Sequence, residues 1–132
     1  MTTEDHARTG DRHLWELGYP EVGAIVGQHV RLLKFDADRK PTVAEVVNYA
    51  DKRVLHDKVV SLEERIAYII KRYRSSGELG DYRLNKMEQA LQAIENKLFR
   101  SMPFSADELE ARLSPEDFEN VMACFQQTVR DF

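Results

Sequence analysis

Apolar residues return every third or fourth position along this 132-residue chain and nowhere alternate with polar ones. The clearest case is Leu84, Met87, Leu91, Ile94 and Leu98. That spacing matches the period of a helix, about 3.6 residues, and not the two-residue period of a strand. A chain patterned this way buries its apolar side by stacking helices. The expectation is an all-α bundle of about six to seven helices with no sheet. Val59-Val60, the nearest thing to a strand signal, is too short to count.

Punctuation divides the pattern. A first helix is expected over residues 4–17, stopped by Gly18 at the position where glycine ends helices. Pro20 opens a second, whose stripe is Val22, Ile25, Val26, His29 and Leu33. Residues 34–40 read as a polar loop closed by Pro41. Thr42 caps a third helix, with Glu45 in the capping-box position and Val43, Val46, Val47, Ala50 and Val54 as its buried side. Ser61 and Glu64 repeat that arrangement for a fourth helix, which turns Leu62, Ile66, Ile69, Ile70 and Tyr73 inward. A small-residue break at residues 75–80 precedes a long helix over 81–100, ended by Pro103. A short helix over 105–113 follows. The last helix opens at Ser114-Pro115-Glu116, with Phe118, Met122, Phe125, Val129 and Phe132 as its stripe.

The size is that of one domain with a normal core, so folding needs neither a disulfide nor a structural metal. The one cysteine, Cys124, falls in an apolar stripe and reads as a small buried hydrophobe. The net charge of −4 argues against binding a nucleic-acid polymer. The short basic run Lys71-Arg72-Tyr73-Arg74 ends a helix, where cations offset the dipole. The polar first 13 residues and the lack of any long apolar run predict no membrane span and a cytoplasmic location.

Against this ordinary background a few side chains stand out. His6, His29 and Asp51 fall on or beside the apolar faces of three consecutive helices. A buried carboxylate must be paired, hydrogen-bonded, protonated or metal-bound. The plainer alternative for Asp51 is an ion pair with a neighbouring Arg or Lys, and for His29 a hydrogen-bonded core position. His13 competes with His6 for the inner face and is the more solvent-facing of the two. His56-Asp57 is read as structural, near the end of the third helix.

In order, the phrases are Asp5-His6 with Gly10, then Glu16-Leu17-Gly18-Tyr19-Pro20-Glu21-Val22, then Ile25-Val26 with His29. Val46-Val47-Asn48-Tyr49-Ala50-Asp51-Lys52 and Ser61-Leu62-Glu63-Glu64-Arg65 follow. Together they resemble the second half of an HD-domain metal-dependent phosphohydrolase, over a little more than half of the chain. The resemblance implies an all-helical core over 1–74 and a C-terminal helical extension over 75–132, packed on that core or on a partner chain. It implies a divalent metal ion held by His6, His29 and Asp51, with Asp51 and Lys52 as catalytic residues. The substrate class it implies is a phosphorylated small molecule or nucleotide. The family's first histidine and its His-Asp pair lie upstream of the position of His6, and only five residues precede His6 here. The expectation is therefore an incomplete metal site and weak activity of this chain alone. A homodimer is expected to cover Leu14, Trp15 and the C-terminal stripes. The alternative is a non-catalytic helical interaction or oligomerisation module.

Overall fold

The computed structural model describes residues 3–73, 77–113 and 115–131. Seven α-helices account for most of them: α1 (Thr3–Glu16), α2 (Pro20–Val26), α3 (Val43–Lys52), α4 (Leu62–Tyr73), α5 (Gly77–Phe99), α6 (Leu109–Arg112) and α7 (Pro115–Arg130). A 3-10 turn, Ala106–Glu108, leads into α6. The chain is thus broadly all-α. No described helix is long and apolar enough to cross a membrane.

The caps form where their residues demanded. Thr42 accepts from the Glu45 amide, and the Glu45 carboxylate accepts from the Thr42 amide. The Glu64 amide donates to the Ser61 hydroxyl. Pro20 sits in the first turn of α2. Gly18 adopts φ +91°, a left-handed conformation that side chains other than glycine resist, and it ends α1.

The core lies between α3, α4 and α5, where Tyr49, Leu62, Ile66, Leu91 and Ile94 are buried. Leu32, Ile70, Met87, Leu98 and Phe99 pack around them. The 84–98 stripe of α5 therefore does what its period predicts. Tyr73, Phe118 and Phe132 lie outside the residues whose side chains are described.

Five expectations need correction. First, a small antiparallel ribbon is present, β1 (Val54–Leu55) against β2 (Lys58–Val59). The turn between them puts His56 at φ +57°. His56-Asp57 is therefore a hairpin tip, and Val54 belongs to a strand. Second, α2 stops at Val26, so His29 sits in a bend and Leu33 is exposed. Third, α5 is already helical from Gly77; of the expected break, residues 75–76 lie outside the described set.

Fourth, α3 is turned around. Val43, Val46 and Ala50 face out, and the buried side is Glu45, Asn48, Tyr49 and Lys52. Each of those side chains has a polar partner inside, which offsets much of the penalty for burying it, although the Asn48 Oδ1 has no partner among the described residues. Lys97 bonds Glu45 at 2.7 Å, Asn48 donates to the Gln28 carbonyl, and the Tyr49 hydroxyl donates to Glu95. The Tyr49 hydroxyl pKa is raised well above its ordinary value, first by burial and then by the Glu95 bond. Fifth, Cys124 is exposed. The described side chains of α7 all face solvent, its expected stripe residues Met122, Phe125 and Val129 among them.

Candidate functional site

Helices α1 and α2 form a hairpin across Gly18. Their approach is close because Gly23 carries no side chain. A Cβ there would stand 2.8 Å from the Asp11 carbonyl oxygen and 2.7 Å from the Asp11 carboxylate. This closeness sets the two ends of the hairpin side by side. His6, near the start of α1, meets His29, three residues past the end of α2.

The two Nε2 atoms are 3.1 Å apart. The His29 Nδ1 lies 2.6 Å from the Val26 carbonyl oxygen. A carbonyl only accepts, so Nδ1 carries a proton, and in the neutral ring the His29 Nε2 presents a lone pair. In that form of the ring the His6 Nε2 is the donor of the contact. His6 is exposed and His29 half-buried, so the pair opens to solvent on one side.

Lys52 joins this pair to the bundle. Its side chain is buried, and its ammonium donates to the His29 carbonyl oxygen at 2.9 Å and to Asp51 Oδ2 at 2.7 Å. The Asn48-to-Gln28 bond is a second tie from α3 to the same bend. The bend holding His29 is thereby fixed from α3 even though it is not helical. Asp51 itself is partly exposed, and its other side lines a cavity of about 420 Å³ between α3, the ribbon and α4.

The structure thus brings His6 and His29 together and links Asp51 to them through Lys52. Among the described residues, no group of three His, Cys, Asp or Glu side chains is placed to hold a metal ion. His13 is exposed, and so is His6, so the expected difference between them is not seen. Two imidazole nitrogens about 2 Å from a tetrahedral ion stand roughly 3.3 Å apart, so the pair has the spacing of two ligands. The Val26 carbonyl supplies the outer bond that fixes a ligating imidazole.

A second polar centre lies inside the bundle. Arg53 donates to the Val60 carbonyl at 2.7 Å, the Tyr49 hydroxyl at 2.6 Å and the Ala106 carbonyl at 3.0 Å, and lies 3.8 Å from Glu95. It ties α3 to the ribbon, to α5 and to the 3-10 turn. Sequence reasoning missed it because a lone Arg after a helix carries no motif. Its partners come from segments far apart in the chain.

Comparison with protein-family models, curated proteins and solved structures yields no match to any of them.

Proposed function

We propose that this chain is an HD-type metal-dependent phosphohydrolase domain whose own residues furnish only part of the metal site. His6 and His29 are its imidazole ligands. Asp51 is the carboxylate that this reading assigns to the ion, in exchange for its contact with Lys52. The observation that carries the reading is the His6–His29 pair, two nitrogens 3.1 Å apart with one ring locked by the Val26 carbonyl. A bound divalent ion would polarise a phosphoryl oxygen and acidify a water. Lys52 holds the His29 bend and keeps a positive charge beside Asp51, where a phosphoryl group gains from it. Two imidazoles and one carboxylate fall short of the family's full set, so turnover by this chain alone should be small. Hydrolysis of p-nitrophenyl phosphate with and without manganese is the test. Rapid metal-dependent turnover abolished by Asp51→Asn would mean that the ligands present suffice by themselves.

A second reading, a helical interaction module that forms homodimers, is favoured by α7. Val121, Met122, Phe125 and Val129 lie along one side of that helix and are all exposed. Trp15, Leu17, Tyr19 and Val22 add an exposed apolar edge at the α1–α2 turn. Apolar surface of this kind usually serves an interface.

A further inference from the structure

Helix α3 wears its apolar side outward. Its buried side is largely polar, while Val43, Val46 and Ala50 face solvent, Val43 63% and Val46 48% exposed. These positions follow the helical spacing, so they form one strip along the helix. Ala50 also stands in the wall of the cavity between α3, the ribbon and α4, with Val54 beside it. Tyr68 and Ile69 of α4 close the other side. An apolar run therefore leads along α3 and ends in a recess. Single exposed apolar residues mean little, but a continuous run beside a cavity marks an interaction surface.

A cation stands at the end of that run. Arg65 lines the cavity, and its guanidinium lies 5.7 Å from the Tyr68 ring centre. Its Nε is buried and has no hydrogen-bond partner among the described residues. A guanidinium donor in that position is unfavourable until an acceptor reaches it. Asp51, the carboxylate in the same wall, is held by Lys52 at 2.7 Å. The surface thus suits an apolar segment that carries a carboxylate at one end.

Helix α7 is such a segment. Every side chain described on it is exposed. A helix in a protein owes most of its stability to packing an apolar face, and this one has its face bare. Val121, Met122, Phe125 and Val129 rise about 12 Å along α7, against about 10 Å from Val43 to Ala50 on α3. Glu116 and Glu119 precede them. Laid antiparallel to α3, α7 sets its apolar face on the strip and its two glutamates at Arg65. The chain's own α7 sets out from elsewhere. The 3-10 turn that leads to it lies with Leu62, Ile66 and Ile70, a different face of α4 from that of Arg65, Tyr68 and Ile69. We propose that α7 of a second copy docks along the outward face of α3, with its acidic end at Arg65. The exchange is reciprocal, each chain giving its α7 and receiving its partner's, so a two-fold dimer closes. This rests on the interaction-module reading and names the surface that receives α7.

The test is sedimentation of the full chain and of two variants, alone and mixed. Phe125→Asp spoils the docking helix, and Val46→Asp spoils the receiving strip. The parent should sediment at twice the 15.3 kDa of one chain. Each variant alone should self-associate at least about tenfold more weakly, with an unchanged circular-dichroism spectrum. Their equal mixture at millimolar concentration should form dimers again, because one chain keeps an intact α7 and the other an intact strip. Arg65→Glu should weaken the dimer by about tenfold, and adding Glu116→Lys and Glu119→Lys to the same chain should restore part of it. Should Val46→Asp fail to fold, Ala50→Asp takes its place. Dimers of Val46→Asp as tight as the parent's, with Phe125→Asp monomeric, would overturn the proposal and leave the interaction-module reading standing. A mixture that stays monomeric at millimolar concentration would also overturn it. A monomeric parent would remove both.

Discussion

Lys97 of α5 and Glu45 of α3 form an ion pair of 2.7 Å with both side chains almost wholly buried, 2% and 3% exposed. Lys97 also donates to the Asp36 carbonyl at 2.6 Å, and Glu45 also accepts from the Thr42 amide. The pair therefore joins α3, α5 and the 34–40 loop at one point. A buried pair with its remaining hydrogen bonds met is stable, but either partner alone is an uncompensated charge. Lys97→Met or Glu45→Leu should each destabilise the chain by about 3–5 kcal/mol in urea unfolding. The double variant should recover much of that loss. A loss below about 1 kcal/mol in both single variants would mean that the pair is open to water.

This pair also explains what was legible in the sequence. The Thr42–Glu45 capping box was readable because its residues are three apart. The period of α5 was readable because one face of a helix repeats along the chain. The orientation of α3 was not, because a count of valines cannot weigh Glu45, Asn48, Tyr49 and Lys52 against partners 20 to 52 positions away. The ribbon was hidden for a related reason. Its strands are two residues long, and its turn uses His56 rather than the glycine or asparagine that signals such turns. Of the candidate site, the nearness of His6 and His29 followed from helix order. The Lys52 hub did not, since a lysine on an amphipathic helix ordinarily reads as solvated.

The closeness of α1 and α2 makes Gly23 a sensitive position. Gly23→Ala places a methyl 2.8 Å from the Asp11 carbonyl oxygen, so the helices must part. The expected loss is about 1–3 kcal/mol, the range for overpacking. The His6 and His29 ring signals in an NMR spectrum should shift together. If stability and both rings are unaffected, the α1–α2 approach is looser than described.

Glu108 accepts from the Ser105 amide and hydroxyl, and these bonds hold its carboxyl pKa below its ordinary 4.5. A lowered folded-state pKa makes the cap fully present above 4.5 and lost as pH falls through the folded value. The Ser105 amide resonance should therefore move in the acid range with a midpoint below 4.5, the ordinary Glu value. A midpoint at or above it would show that the cap does not form.

The exposed stripe of α7 predicts self-association. Sedimentation at micromolar concentration should give a species larger than the 15.3 kDa monomer. Phe125→Asp should return it to the monomer with little loss of stability, because Phe125 is 61% exposed in one chain. A parent chain that is already monomeric would remove the dimer from the second reading.

The proposed function requires His6 and His29 together to present nitrogen ligands to a divalent ion. Calorimetric titration of the chelator-treated chain with zinc tests it most directly, with His6→Ala and His29→Ala in parallel. About one ion should bind per parent chain, with affinity at least about tenfold lower in each variant, since loss of one ligand of a small set is severe. Zinc binding of equal strength and stoichiometry in all three proteins, or none in the parent, would contradict it.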